Sequence, residues 1–229
     1  ICNGSVIISI DFYAINDLHG KFADTDSNIG VDELTTYLKA MAEIDDNVVF
    51  LSSGDMWQGS SESNLTKGMI ITEWMNHLDF ASMTLGNHEY DWGEEFIEAN
   101  AEIADFPFLA INIFDSADNG RVDYCSASVV IERNGIEIGI IGAVGDCYSS
   151  ISGDKTEGIY FKTGSELTSL VKAESERLRA QGVDYIVYSI HDGYGRNNYS
   201  ATEVENSELY GYYNAALSDG YIDLVFEGH

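Results

Sequence analysis

Short apolar segments that predict β-strands recur along this chain, and five of them are followed closely by side chains able to bind a metal or move a proton. The segments are residues 6–15, 48–51, 81–85, 185–190 and 224–226. The side chains that follow them are Asp17 and His19, Asp55, Asn87 and His88, His191, and His229. Open α/β sheets bind ligands at the carboxyl ends of their strands. We therefore expect these side chains to meet at one edge of a sheet.

The segments between these strands have the periodicity of amphipathic helices. One helix is indicated by apolar residues at positions i, i+3, i+4 and i+7, which are Leu34, Tyr37, Leu38 and Met41. Further helices are predicted over residues 69–78, 92–104 and 163–178. The last of these begins with Thr163 and Glu166, which match the capping-box pattern.

A hairpin is predicted where residues 128–133 and 136–141 flank Asn134-Gly135, a dipeptide that accepts positive φ. Another strand is predicted over residues 108–113. Strands that alternate with helices, together with one hairpin, indicate a layered α/β domain with mixed sheets. Because no repeat, low-complexity tract or linker divides the chain, we expect residues 1–229 to form a single domain.

Composition limits the classes of partner. The 229 residues are 45% hydrophobic, which is enough for one substantial core. The 39 acidic and 11 basic residues give a formal net charge of −28, which argues against nucleic-acid polymers and anionic membranes, because both attract Lys and Arg. No apolar run reaches the roughly 18 residues of a membrane-spanning helix. The first residue is Ile1, so any targeting segment lies outside the given sequence.

Each polar residue at the strand ends also has an ordinary structural interpretation. Asp17, Asp55 and Asn87 suit turns or loop caps. His191 can be a hydrogen-bonded core histidine. His77 lies on a predicted helix, where we interpret it as a surface or core residue. The other four of the five histidines all follow predicted strands, and this clustering favours a site.

Carboxylate, amide and imidazole ligands without thiolate suit Zn²⁺, Mn²⁺ or Fe. The cysteines Cys2, Cys125 and Cys147 lack the paired spacing of a zinc site or a disulfide framework. The candidate ligands are more than one ion takes from a protein while keeping an open position, so two divalent metal ions are predicted. Two ions about 3.5–4 Å apart can share a carboxylate, polarise a phosphoryl oxygen and activate a water.

The strand-end motifs resemble those of the calcineurin-like metallophosphoesterases. The matching motifs are Asn16-Asp17-Leu18-His19-Gly20, Gly54-Asp55, Gly86-Asn87-His88-Glu89, His191 after a strand, and Gly228-His229. The stretch from Gly86 to Asp91 looks like the 5′-nucleotidase branch of that family. The resemblance spans nearly the whole chain in motif order and implies a layered αββα domain with mixed sheets and a metal site at the strand C-terminal ends.

The resemblance also implies a role for each residue. It assigns Asp17 and His19 to one metal and makes Asp55 a bridge between two. The other metal is assigned to three further residues, Asn87, His191 and His229. His88 is implied to be a catalytic imidazole held by Asp91. From the sequence alone, Asp91 also fits the start of the following helix, because Asp91 and Glu94 form a D-x-x-E pattern.

The chain departs from the family in two places. The last Gly-His motif of the family continues to a second His or Gln, whereas the given sequence ends at His229, so we expect the site at Asp17 and His19 to bind its ion more weakly. The 5′-nucleotidase branch also has a C-terminal domain that recognises the nucleotide. We therefore expect residues 1–229 to be a catalytic domain without that recognition domain.

The function implied by the resemblance is metal-dependent release of phosphate from nucleoside monophosphates. Two alternatives stay open, namely a 2′,3′-cyclic-nucleotide phosphodiesterase and a metal-binding surface module with little turnover. His88 and Asp91 argue against the module, because metal binding alone does not need an imidazole that is not a ligand. The expected partner is a small phosphate ester, the expected location is extracellular, periplasmic or cell-surface, and the oligomeric state is left open.

Overall fold

A computed structural model describes residues 8–25, 29–193 and 219–229 of the chain. Its first sheet has four parallel strands in the order β1, β2, β3, β4. These strands are β1 (Asp11–Ala14), β2 (Val48–Ser52), β3 (Ser82–Thr84) and β4 (Phe108–Leu109). The helices that connect them are α1 (Val31–Ile44), α2 (Ser61–Thr66), α3 (Met69–His77) and α4 (Glu94–Ile103).

The second sheet is mixed and has the order β10, β9, β7, β6. Its strands are β6 (Ser128–Arg133), β7 (Ile136–Val144), β9 (Tyr185–His191) and β10 (Leu224–Gly228). β7, β9 and β10 are parallel, and β6 is antiparallel to β7. The hairpin turn has φ of 52° at Asn134 and 82° at Gly135, as predicted for this dipeptide. A further antiparallel pair comprises β5 (Ile113–Asp115) and β8 (Ile159–Phe161), and α5 (Gly164–Ala180) precedes β9.

Three apolar clusters show the layers. Val49, Leu51 and Leu109 of the first sheet pack with Ile138 and other residues of the second sheet, so the two sheets face each other. The second cluster joins the first sheet to α1, α3 and α4, and the third joins the second sheet to α5. Burial of each large apolar side chain contributes about 1.5–3 kcal/mol. The expected αββα arrangement is therefore confirmed.

Several local predictions differ from the structure. The strand predicted over 6–15 is shorter, and residues 1–7 lie outside the described residues. The strand predicted over 108–113 is split into β4 and β5 because the chain leaves the first sheet at Ala110. Buried Asn112 then joins the chain to β7, with its amide nitrogen 2.6 Å from the carbonyl oxygen of Val144. The sequence did not predict α2, which is short and has no apolar face.

Of the two predicted helix starts, the one at Thr163 is right in position but lacks the side-chain bond of a capping box, and the one at Asp91 is wrong. Thr163 is the N-cap residue of α5, but its side chain makes no capping bond; its carbonyl oxygen instead accepts from the Glu166 N–H. α4 begins at Glu94 after Gly93, and Asp91 ends the short 3₁₀ turn His88–Tyr90. His77 is exposed on α3, with Nε2 2.6 Å from Nζ of Lys39. Within the described ranges, no helix has the length and apolar character needed to cross a bilayer.

Candidate metal centre

The loops after β1, β2 and β3 meet the ends of β9 and β10 at one edge of the facing sheets. The Asp17 N–H donates to the carbonyl oxygen of Gly54 at 2.9 Å, and the His19 N–H donates to that of Asp55 at 3.1 Å. His191 reaches across to the first sheet, because its Nδ1 lies 2.6 Å from the carbonyl oxygen of Ser53. The structure therefore brings together side chains that are distant in the sequence.

Four of these residues have a left-handed backbone, which is uncommon outside glycine. The φ angles are 53° at Asp17, 50° at His19, 56° at Asp55 and 80° at His229. Residues held in such sparsely populated regions cost of order 1–3 kcal/mol each and concentrate at functional sites. The backbone of this edge is therefore held in an unfavourable conformation by the hydrogen bonds around it.

The buried half of the site comprises Asp55, Asn87 and His191, which are 1%, 6% and 0% exposed. Nε2 of His191 lies 3.0 Å from Oδ2 of Asp55 and 3.2 Å from Oδ1 of Asn87. Burial opposes a charge on His191, but the hydrogen bond and negative charge of Asp55 outweigh it and raise the pKa of the imidazole. Burial raises the pKa of the Asp55 carboxyl. The hydrogen bond and positive charge of His191 outweigh this effect, so the pKa is lowered overall.

The exposed half begins with Asp17 and His19, which are partly buried. One potential ligand atom from each of these residues and from Asp55 lies within 4.8 Å of the other two. Nδ1 of His19 lies 3.0 Å from the carbonyl oxygen of Gln58. Since a carbonyl only accepts, this nitrogen carries the proton, and the neutral imidazole has its lone pair on Nε2.

His229 lies at the same edge. Its backbone N–H donates to the Asp17 carboxylate, with distances of 3.0 and 3.2 Å to the two oxygens. Its ring centroid is 5.4 Å from that of His191. His229, His191 and Cys147 also place one potential ligand atom each within 4.8 Å of one another.

The position of Cys147 near the site was not predicted, because its spacing from the other cysteines matches neither a zinc site nor a disulfide framework. Burial, with the nearby charges of Asp192 and Asp55, raises the pKa of this thiol, so sulfur is protonated at neutral pH. Its Sγ lies 2.8 Å from the backbone carbonyl oxygen of His191. Among the described residues, Cys125 and Cys147 are free cysteines, and Cys2 lies outside them.

His88 and Asp91 form a pair beside these groups. Nδ1 of His88 lies 2.9 Å from Oδ2 of Asp91, and the two side chains are 36% and 35% exposed. Partial burial lowers the pKa of His88, but the hydrogen bond that the imidazole donates to Asp91 and the charge of Asp55 outweigh it, so the pKa is raised overall. The His88 N–H donates to Oδ1 of Asp55 at 2.9 Å. The imidazole is thus oriented, favoured as a cation and accessible from solvent.

Glu89 was not predicted to belong to the site, but it lies directly behind it. It is 0% exposed, and its carboxylate accepts four backbone N–H groups. Burial and the charge of Asp55 raise its pKa to about 7, whereas the N–H donors of Asp55 and Gly86 stabilise the ionised form. An acidic residue inside the Gly86-Asn87-His88-Glu89 motif was the available signal, but three of its four partners lie on a different loop.

The donor set fits divalent ions. Carboxylate oxygens and imidazole nitrogens converge at both halves, with an amide oxygen at the buried half, and these atoms suit Zn²⁺, Mn²⁺ and Fe. His19 and His191 each have their other ring nitrogen against a carbonyl oxygen, the contact that orients most metal-binding histidines. The structure thus brings the eight predicted site residues to one edge, and their individual roles remain predictions.

Comparison with known proteins gives the family. The family model for calcineurin-like phosphoesterases matches residues 10–229. An apyrase of Tabanus yao is 31% identical over 239 aligned positions, which cover 99% of this chain and 40% of the relative. A 5′-nucleotidase of Vibrio cholerae is 28% identical over 93% of this chain and 38% of its own length. The chain thus spans about two fifths of these curated relatives.

A solved structure shares the fold at low identity. The calcineurin-like phosphoesterase YfkN of Bacillus subtilis superposes with a TM-score of 0.75 at 22% identity, covering 96% of this chain and 71% of that one. Family membership also implies divalent metals. The chain therefore belongs to the calcineurin-like phosphoesterases, a family of hydrolases, and its relatives support the 5′-nucleotidase branch.

Proposed function

We propose that residues 1–229 are the catalytic domain of a two-metal nucleotidase that releases phosphate from nucleoside monophosphates. The observation that carries the proposal is the position of Asp55. One carboxylate lies within reach of both Asp17 and His19 and also 3.0 Å from Nε2 of His191. A carboxylate between two groups of ligands is the arrangement by which two metal ions share one residue.

In this proposal Asp17 and His19 hold one ion, and Asn87, His191 and His229 hold the other, with Asp55 between them. When bound, divalent ions supply Lewis-acid polarisation of a phosphoryl oxygen and lower the pKa of a water nucleophile. Zn²⁺, Mn²⁺ and Fe all suit these ligands. Asp17 and Asp55 leave two divalent ions with net positive charge, so an anionic substrate is attracted to this edge of an otherwise acidic chain.

His88 is the proposed catalytic residue. Because Asp91 binds Nδ1, the imidazole presents Nε2 toward a substrate. Its raised pKa favours the cationic form, in which that nitrogen carries a proton. The cation stabilises negative charge that develops on the phosphoryl group, and its proton can pass to the leaving oxygen of the nucleoside.

A nucleotide substrate is supported by the relatives. Several are named 5′-nucleotidases, and one from Bacillus subtilis is named a trifunctional nucleotide phosphoesterase. The chain has a formal net charge of −28, which disfavours nucleic-acid polymers and fits a small substrate drawn to the local positive charge of the ions. By the same resemblance we propose an extracellular, periplasmic or cell-surface location.

The test is phosphate release by the purified chain from nucleoside monophosphates, 2′,3′-cyclic nucleotides and an aryl phosphate. Each substrate is assayed after chelation and again with added Mn²⁺ or Zn²⁺. We expect metal-dependent turnover of the nucleoside monophosphates that exceeds turnover of the aryl phosphate. Turnover confined to cyclic nucleotides would make the protein a phosphodiesterase instead. Metal binding without turnover of any substrate would leave a metal-binding module.

A further inference from the structure

We infer that Glu89 is a positioning residue that holds the loop of Asp55 against the loop of Asn87 and His88, so that both halves of the site have their metal-binding geometry. The inference rests on the proposed metal centre. It assigns Glu89 no contact with substrate or metal. Its effect is on the backbone that carries the ligands.

The hydrogen bonds of Glu89 define this role. Oε2 accepts the N–H of Asp55 at 2.8 Å and that of Gly86 at 2.7 Å. Oε1 accepts the N–H of Met56 at 2.9 Å and that of Trp57 at 3.3 Å. Three successive amides of one loop and one amide of the other therefore converge on a single carboxylate.

The left-handed conformation of Asp55 depends on the Glu89 carboxylate as an acceptor. With φ at 56°, this residue turns the chain so that the amides of residues 55–57 point to the same side. Successive N–H groups directed into one concavity bind an anion, and here the anion is a side chain of the protein. Without it, four buried N–H groups would have no acceptor, and a loop already in an unfavourable conformation would relax.

The two loops are also in close contact, so a small displacement matters. A Cβ at Gly86 would clash with Oδ1 of Asp55 and lie 2.9 Å from Oε2 of Glu89. The His88 N–H donates to Oδ1 of Asp55 at 2.9 Å. A shift of either loop therefore moves the proposed bridging carboxylate relative to both the amide ligand and the catalytic imidazole.

The geometry argues against a direct chemical role for Glu89. The side chain is 0% exposed, and both carboxylate oxygens accept backbone N–H groups, so neither is directed at solvent or at a substrate. A residue that acts as acid, base or ligand needs an accessible oxygen. The remaining role is to fix the positions of the groups that do this chemistry.

The experiment compares Glu89→Gln with Glu174→Gln. In the first variant, the new amide side chain would have one acceptor oxygen and an NH₂ group facing N–H donors. Glu174 is the matched control, because it is also buried and accepts from Arg177 and Ser128 but lies on α5. We expect calorimetric titration with Mn²⁺, and separately Zn²⁺, to show about 10–100-fold weaker binding in Glu89→Gln, the usual effect of removing an outer-shell partner. Glu174→Gln should bind as the parent does.

A second readout follows the amides themselves. In metal-free protein, hydrogen exchange at residues 55–57 and 86 should be slow in the parent chain and faster in Glu89→Gln. Glu89→Asp keeps the charge but shortens the side chain, and we expect an intermediate loss of metal affinity. Parent metal affinity in a folded Glu89→Gln or Glu89→Asp variant would overturn the inference. Unprotected amides at these positions in the parent chain would overturn it even if neither variant folds.

These outcomes are separate from the test of the proposed function. If the parent chain hydrolyses no phosphate ester, but Glu89→Gln still weakens Mn²⁺ binding, the nucleotidase assignment fails and the positioning role stands. If the parent chain hydrolyses nucleoside monophosphates and Glu89→Gln retains both metal affinity and turnover, the positioning role fails and the proposed function stands.

Discussion

The two halves of the candidate metal centre are built differently. In the buried half, His191 and Asp55 are almost inaccessible, and a hydrogen-bonded network lies beneath them. That network includes Ser189, whose Oγ lies 3.0 Å from Oγ of Ser53 and 2.8 Å from Oγ1 of Thr84. It joins the two sheets, so the buried ligands are fixed by the packing of the whole domain.

In the exposed half, side chains are partly open to solvent and are carried by loops. Asp17 and His19 are partly buried, and His88 is 36% exposed. The difference suggests a division of labour. On the proposed function, the buried half would hold one ion in a preformed site, whereas the exposed half would hold the second ion, admit substrate and supply the proton. Variants that alter one half, or the residue common to both, would test that division.

The largest effect is expected for Asp55→Asn, because Asp55 belongs to both halves. Removing its charge should lower the content of both metals and abolish phosphate release. The expected loss exceeds about 10⁴-fold, since metal polarisation contributes several kcal/mol to the transition state. Metal analysis and phosphate-release kinetics measure both effects, with the exposed Asp79→Asn as control. Full metal content with normal turnover would show that the halves do not share this residue.

His88→Ala should separate chemistry from binding. We expect kcat to fall by about 10²–10⁴-fold, the usual contribution of a positioned acid or base, while both metals are retained. His77→Ala is the control, because His77 is an exposed histidine outside the site. Loss of a metal from His88→Ala would instead make His88 a ligand, and the exposed half would then have no separate residue for proton transfer.

Stability should distinguish the halves in metal-free protein. His191→Ala leaves the Asp55 carboxylate buried without its imidazole partner, and breaking a buried pair costs about 3–5 kcal/mol. His19→Ala removes a partly exposed ring and should cost within about 1 kcal/mol. Urea denaturation after chelation measures both values. Equal losses would mean that the buried half is no more rigidly built than the exposed one.

The pair of His88 and Asp91 should act as one unit. If Asp91 works by orienting His88, the double variant His88→Ala/Asp91→Ala should be at most about twofold slower than His88→Ala alone, because residues that act together are not additive. The structure favours this outcome, since α4 begins at Glu94 and Asp91 does not cap it. Multiplied rate losses in the double variant would instead give Asp91 an independent role.

The smallest effect is expected for Cys147→Ser. The thiol lies near His191 and His229, but its raised pKa makes it a neutral group at the margin of the buried half. We expect metal affinity and kcat to change by less than about threefold, because a buried thiol is costly to ionise. Calorimetric titration with Zn²⁺ is the sensitive measurement. Loss of Zn²⁺ but not Mn²⁺ affinity would identify sulfur as a ligand and redefine the buried half.

Much of this site could be predicted because strand ends determine it. Parallel strands align their carboxyl ends, so Asp17, Asp55 and His191 were expected at one edge without knowledge of any contact. The sequence motif around Asn87 added an amide to this group of predicted ligands. What could not be predicted depends on contacts between distant segments. Glu89 binds the amides of a loop that lies more than thirty positions earlier in the chain.

The errors in the predicted fold have the same origin. The apolar run over residues 108–113 indicates one strand, but the bonds of Asn112 to β7 take the chain out of the first sheet. The helix α2 buries only Ser63 and therefore has no apolar periodicity to detect. Cys147 lies near the site because of the path that the chain takes after β7. The spacing of residues in the sequence does not predict that path.

The bond between His229 and Asp17 also has a consequence for the order of folding. These residues are separated by 212 positions, and the His229 N–H donates directly to the Asp17 carboxylate. Contacts between such distant parts of a chain require the largest loops to close and form late. During synthesis, the α1 to α4 half of the domain emerges well before β10 is available. The candidate metal centre is therefore completed only when β10 docks, and metal uptake should report the final step of folding.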